Sequence, residues 1–368
     1  MKNILVVGQT PPPIGGQAVM IKHLLDGNYS KIKLFHVRMS FSSEMKDMGK
    51  IQLNKLLHLF SIIFKILYKR IFLNVNILYY PPSGPNSAVY RDLIILNMTR
   101  PFFSKTIFHF HASGLTTHLE KSNFIFKYFF RKAFFFPDLC IHLSKSCPQE
   151  GISLKAKKNI IIPNGIPDIT PVIQNKIKSY ESNNYQLNIL FVGLLEGSKG
   201  EYDIIDAVKI LKDKGINVRL RILGQFKRKE YENKYQSIID DYKLDSNVFH
   251  LGILKGKDKR DVFMDSDCFC FPTYFHSESF PIVLIEAMQY GIPIIATPWR
   301  GIPDMVIDGI NGLFVDIKAP SQIAEKISFL IKHPNEMQKL GINARERYVQ
   351  EYHIDTHIKN IESALSMV

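Results

Sequence analysis

Two glutamates frame the stretch FHSESFPIVLIEAMQYGIPIIAT (275–297): Glu278 shortly before Pro281, and Glu286 inside an apolar run eight positions later. An ionised carboxylate only accepts hydrogen bonds, and its two oxygens suit the vicinal hydroxyls of a sugar. Pro281 fits the first position of a helix, where its missing N–H costs nothing, while Gly291 and Pro293 fit the stop. The first-turn amides, near Ile282 and Val283, would then carry the positive end of the helix dipole and form an anion site. Glu286, about five residues into that helix, would sit roughly 7–8 Å along it. Burying it among Ile285, Ala287 and Met288 is costly unless hydroxyls compensate. Acid, anion site, acid is the order a nucleotide sugar requires: hydroxyls at both ends and phosphate between.

Such residues need rigid elements to hold them. Short β-branched or aromatic runs, each followed by a helical pattern, recur along the 368 residues. Strands are expected at 3–7, 32–37, 75–80, 106–111, 139–144 and 159–162, then at 187–192, 218–223, 247–251, 268–271, 293–297 and 312–315. Several are continuously apolar, as parallel strands buried on both faces must be. Alternation with helices predicts an α/β protein with two doubly wound Rossmann-like domains facing a cleft. The expected division is 1–172, a linker at 173–186 within a Pro-, Ser- and Asn-rich segment, and 187–351, with a helix at 352–368 packing back on the first domain.

Composition narrows the class. Hydrophobic content of 46% and charged content of 22% describe a soluble globular chain. The four cysteines form no CxxC pair, so neither a disulfide framework nor a zinc site is expected and a reducing cytoplasm fits. Cys268 and Cys270, two apart on a strand, would share a buried face. The opening MKNILVVGQ is too short an apolar run for a signal peptide, and Lys65, Lys69 and Arg70 interrupt the longest apolar segment, 56–73, so no membrane span is expected. Residues 1–184 carry 24 Lys+Arg against 9 Asp+Glu, whereas 185–368 carry 23 against 25. The net charge of +13 therefore belongs to the first half, which points to an anionic partner there.

Glu278 and Glu286, with the following AMQYGIPIIATPWRGIPDMVIDGINGLFV, resemble the donor-site signature of family 4 retaining glycosyltransferases of the GT-B fold. PPPIGGQAV, HFHASG and FVGLLEGSKG extend the resemblance over most of the chain. YYPPSGPNSAVYRDLIIL (79–96) and HFHASG are similar to bacterial members that assemble capsule, O-antigen or exopolysaccharide units.

The resemblance implies roles. Lys199 would neutralise the donor diphosphate as the leaving group gains charge. Gly15 and Gly16 match the glycine-rich turn after the first strand, where amides approach the ligand. His111 matches a histidine beside the transferred sugar, and His109 shares its strand parity. Glu278 would hold sugar hydroxyls, with the amides around Ser279 and Phe280 helping to fix the donor. The catalytic set is then Glu278, His111 and Lys199; the donor-binding set is Gly15, Gly16, Lys199, Glu278, Ser279, Phe280, Ile282, Val283 and Glu286. Leu194 stands where the family often has a phosphate-binding arginine, a departure that leaves more work to Lys199 and the helix amides.

No Asp-x-Asp motif stands near these residues. DSD at 265–267 reads as a helix-end turn, so no cofactor and metal-independent transfer are expected. The expected partners are a UDP-, GDP- or ADP-linked sugar, a polyprenyl-diphosphate-linked saccharide acceptor and the anionic inner face of the plasma membrane. Basic helices with wide aromatic faces at 55–69 and 121–136 would meet that membrane peripherally. A same-fold sugar-nucleotide epimerase or phosphorylase is the nearest alternative. A basic nucleic-acid-binding protein, the alternative of another class, finds no recognised motif here, and the absent GxGxxG argues against a dinucleotide oxidoreductase.

Overall fold

Twelve strands lie among the residues that the computed structural model describes: 1–13, 15–39, 53–120, 122–170 and 186–368. Residues 173–185 of the expected linker and Lys121 lie outside the described residues. The first six strands are β1 (Lys2–Gly8), β2 (Ile32–Arg38), β3 (Ile77–Tyr80), β4 (Lys105–Phe110), β5 (Leu139–His142) and β6 (Asn159–Ile161). The second six are β7 (Leu187–Val192), β8 (Val218–Leu223), β9 (Val248–Gly252), β10 (Cys268–Phe271), β11 (Ile294–Ala296) and β12 (Gly312–Phe314). Each falls on an expected run.

They form two six-stranded sheets, ordered β2-β1-β3-β4-β5-β6 and β12-β11-β10-β7-β8-β9. Every ladder is parallel. The direction of winding reverses between β1 and β3 in one sheet and between β7 and β10 in the other. Loops beyond the carboxyl ends part at such a switch point, which is where open α/β sheets bind ligands.

Two compact units contain these sheets. The first comprises Met1–Gly165, His276–Phe280 and Ile354–Val368; the second comprises Ile166–Phe275 and Pro281–His353. Glu278 and Glu286 therefore belong to different units.

In the first unit the strands bury both faces. Leu5 and Val7 point to one side, where Ile62 and Ile66 of helix Leu53–Phe72, Leu96 of helix Ala88–Thr99 and Phe134 of helix Phe124–Phe134 pack. Ile4 and Val6 point to the other, against Ile21 of helix Gly16–Asp26 and Ile361 and Leu365 of helix Ile354–Ser366. In the second unit, Cys268 and Cys270 are buried thiols of β10, and burial pushes both well above the usual thiol range. Helix Ile282–Gln289 packs against β11 and helix Pro334–Arg347. It stops as expected: Gly291 takes φ +65°, its N–H meets the Met288 carbonyl at 3.0 Å, and the Ile292 N–H meets Ala287 at 3.1 Å.

Candidate functional site

In the second unit, the candidate residues gather at the switch point between β7 and β10. The loop after β7 runs from Gly193 to Gly200, where helix Glu201–Asp213 begins. The loop after β10 is stitched to it. The Ser198 carbonyl accepts the Tyr274 N–H at 2.9 Å and the Thr273 hydroxyl at 3.3 Å. The loop after β11 joins them: the Thr297 hydroxyl donates to the Thr273 carbonyl, and the Trp299 indole donates to Phe275 at 2.8 Å. Lys199 is carried on this platform with its Nζ 4.2 Å from the centroid of the Phe275 ring and 5.9 Å from that of Phe271.

Only glycine fits at 200. Its φ is +85°, and a Cβ would lie 2.4 Å from the Pro272 carbonyl oxygen. Glu201, the next residue, accepts the Gly197 N–H at 2.5 Å and so closes the loop from below. Its second oxygen is buried without a hydrogen-bond partner. Burial is the main reason its carboxyl is raised to about 7. The buried Glu196 pairs with Lys227. Leu194, half-buried in the same loop, supplies no phosphate-binding group.

Helix Ile282–Gln289 follows the loop after β10. Pro281 is not its first helical residue, as expected, but its N-cap: ψ is 114°, and its carbonyl accepts the Leu284 N–H at 3.1 Å. Ile282 and Val283 form the first turn. Glu286 is neither fully buried nor waiting alone for hydroxyls, as the sequence suggested. Its Oε1 pairs with Lys259 Nζ from helix Gly256–Met264, while its Oε2 is buried without a partner. Lys259 stands among several lysines in KGKDKR, and nothing in its spacing marks it; folding alone brings the two helices together. Asp265 and Asp267 do form a helix-end turn. Asp265 pairs with Arg221 at 2.7 Å, and Asp267 accepts the Asn188 N–H at 2.8 Å.

In the first unit, His111 lies one residue beyond β4 rather than at its end. Its ring centroid is 4.1 Å from that of His109, so the expected shared face holds. Both ring nitrogens of His111 are buried without a partner. Burial pushes its pKa down to about 3, with electrostatic coupling to His357 a smaller cause, so the ring is neutral. His109 is fully buried beside it, its Nδ1 bonded to the Tyr79 hydroxyl. Burial holds it well below the usual histidine range, with His111 next among the causes.

The segment 276–280 sits on the same rim. The Ser279 carbonyl accepts the Cys147 thiol at 3.4 Å, and the Phe280 carbonyl accepts Asn164 Nδ2 at 3.3 Å. A Cβ on Gly84 would lie 3.0 Å from that of Ala112 and 3.9 Å from Ser277 Oγ. The loops after β3, β4, β5 and β6 thus converge on the segment carrying Glu278, which is itself buried. Sequence reasoning missed two carboxylates that hold these loops. Asp92 accepts the Ser83 N–H at 2.8 Å and the Tyr80 hydroxyl at 2.7 Å. Glu150 accepts the N–H groups of Gly114 at 2.7 Å and Thr116 at 3.0 Å.

Gly15 is the extended N-cap of helix Gly16–Asp26, at the switch point of the first sheet. A Cβ there would meet nothing within 4 Å, so local packing does not demand a glycine. The first unit thus groups Gly15, Gly16, His111, Glu278, Ser279 and Phe280, and the second groups Lys199, Ile282, Val283 and Glu286.

Residues 172–347 match the family model of glycosyl transferases group 1. The chain is 25% identical over 311 residues to a putative colanic acid biosynthesis glycosyltransferase, WcaL, of Salmonella typhimurium, covering 80% of this chain and 71% of that one. It is 30% identical over 192 residues to the capsular polysaccharide biosynthesis glycosyltransferase CapM of Staphylococcus aureus, covering 52% of this chain and 48% of that one. Among solved structures, Anabaena Alr3699/HepE in complex with UDP-glucose superposes over the whole of both chains with a TM-score of 0.75 at 17% identity. The lipopolysaccharide outer core galactosyltransferase WaaB superposes over 99% of each chain with a TM-score of 0.69. The fold is GT-B.

Proposed function

We propose that this chain, a transferase enzyme of the glycosyltransferase kind, moves a sugar from a nucleotide-sugar donor to a lipid-linked saccharide during surface polysaccharide assembly, with retention at the anomeric carbon. One observation carries the reading. The switch point of the second sheet presents Lys199 on a stitched platform, and the loop it is stitched to leads into the amino end of helix Ile282–Gln289. An ammonium and a helix amino end together suit a diphosphate. HepE, whose complexes contain UDP and UDP-glucose, and the names of WcaL and CapM support the donor class and the setting.

In this reading Lys199 and the amides of Ile282 and Val283 hold the diphosphate, and Glu286 takes the pentose. Glu278 and the amides around Ser279 and Phe280 hold the sugar. Neutral His111 accepts or donates a hydrogen bond beside the reacting bond, and Gly15 and Gly16 leave room for the donor. The acceptor hydroxyl attacks from the face that the nucleoside diphosphate leaves, and a phosphate oxygen takes its proton. Transfer needs no metal; loss of turnover in EDTA that Mn²⁺ restores would contradict this.

The test is hydrolysis and thermal stabilisation across UDP-, GDP- and ADP-sugars. One of them should raise the melting temperature and turn over slowly, and Lys199→Met should abolish the turnover. No response to any of the three sinks the reading.

A membrane surface is the proposed second partner. On helix Leu53–Phe72, Leu57, Phe60, Phe64 and Tyr68 form an exposed stripe at helical spacing. Tyr90, Ile94 and Met98 on helix Ala88–Thr99 and Phe124, Ile125 and Tyr128 on helix Phe124–Phe134 are exposed too. These helices pack side by side in one layer. Lys65, Arg131 and Lys132 are exposed among these residues, whereas Lys69 and Arg70 are turned to the carbonyls of His36 and Phe102. Asp92, the one acid on the three helices, is buried. No described helix is long and apolar enough to cross a membrane. An aromatic layer set with cations suits an anionic interface on the cytoplasmic side. Co-sedimentation with vesicles containing anionic lipid should exceed that with neutral vesicles and fall with salt; equal binding to both defeats this partner.

A further inference from the structure

The Lys259 and Glu286 pair is set where helices Gly256–Met264 and Ile282–Gln289 meet. Lys259 and Phe263 are four apart on one helix, and Glu286 is four before Tyr290 at the end of the other. The rings of Phe263 and Tyr290 stack at 5.2 Å, and the ion pair forms the next rung. Both charged side chains remain partly open, 29% for Lys259 and 23% for Glu286. Ion pairs with such access contribute little to stability, so holding two helices together is a weak reason for this one.

The arrangement is asymmetric. Glu286 Oε1 is occupied by the ammonium, while Oε2 is buried and has no hydrogen-bond partner. With one oxygen taken, the carboxylate no longer offers two free acceptors to a diol. The ammonium has three donors and no acceptor, so it keeps donors beyond the one that Glu286 uses. A hydroxyl both donates and accepts. The pair therefore combines one unpaired acceptor with spare donors, the complement of two adjacent hydroxyls.

We infer that Lys259 is a specificity-determining residue for the nucleotide: it donates to one ribose hydroxyl while Glu286 Oε2 accepts from the neighbouring one. This rests on the nucleotide-sugar reading above and adds a residue to it. A site built to hydrogen-bond two hydroxyls rejects analogues that lack either of them.

The full chain should be titrated calorimetrically with UDP, GDP and ADP, then with the 2′-deoxy and 3′-deoxy forms of the one that binds. Wild type should lose about tenfold or more in affinity when either hydroxyl is removed. Lys259→Met should bind the ribose form about tenfold more weakly and should lose one of the two deoxy penalties, while Lys259→Arg keeps both. Melting without ligand checks the fold, and Lys259→Gln serves if the Met variant does not fold. The inference is overturned if a folded Met or Gln variant keeps wild-type affinity and both penalties, or if wild type shows no deoxy penalty at all. If wild type binds none of the three nucleoside diphosphates, the nucleotide-sugar reading itself fails, a result distinguishable from the other two.

Discussion

The rings of His109 and His111 lie 4.1 Å apart with both imidazoles held neutral. His357, whose Nδ1 meets the Pro163 carbonyl, is likewise pushed down to about 4, chiefly by burial. Each titrates near 6.5 once unfolded, so below that pH the unfolded chain binds protons the native state refuses. Stability is full above about pH 6.5 and falls as the solution is acidified towards the folded values. Each of His111 and His357 should cost about 2 kcal/mol between pH 8 and pH 5. Urea midpoints should drop across that range, less steeply in His357→Phe; a flat profile would refute the assignment.

Glu201 runs the other way. Its folded pKa of about 7 exceeds the unfolded value, so the native state retains a proton longer, and stability is lost as pH rises through about 4.5 to 7. Glu201→Gln keeps an oxygen for the Gly197 N–H and removes the charge. It should gain about 1–3 kcal/mol at pH 8 and little at pH 5, measured by denaturant melts at both.

The two framing glutamates should separate kinetically. If Glu286 holds the pentose as proposed, Glu286→Gln should raise the donor KM about tenfold with a smaller change in kcat, because that contact would be alike in ground and transition states. Glu278→Gln and His111→Ala should lower kcat about 100-fold or more while nucleoside diphosphate affinity stays near wild type. Equal effects on both parameters in both glutamate variants would contradict this division.

Gly200→Ala should cost about 3 kcal/mol or more, since strain at φ +85° adds to a Cβ only 2.4 Å from a carbonyl oxygen. Gly215 is the control: its φ is +74°, but a Cβ there meets nothing within 4 Å. Gly215→Ala should lose only about 1 kcal/mol, the cost of the left-handed backbone. Paired thermal melts decide it.

Runs such as LNILFV and CFCF revealed their strands because a strand buried on both faces must be apolar throughout, a local property that a window of six residues displays. Gly291 was legible as a helix stop because the left-handed backbone that ends a helix is a local demand that glycine meets. Pro281 was misread by one position because proline's missing N–H costs nothing at either place, the first N–H groups of a helix having no partner within it. Lys259, Asp92 and Glu150 escaped, since each acts across helices or loops that only the folded sheets bring together. The allegiance of 276–280 was equally invisible: Cys147 and Asn164, which fix it, are 132 and 116 residues from their partners.

That allegiance has a consequence for protein engineering. A chimera that exchanges residues 187–351 with a relative's equivalent block imports five foreign residues into the rim beside His111, along with the platform that carries Lys199. If Glu278 holds the sugar as proposed, specificity for that sugar would travel with this block, and grafts should succeed most often when Cys147 and Asn164 are matched to the incoming strip.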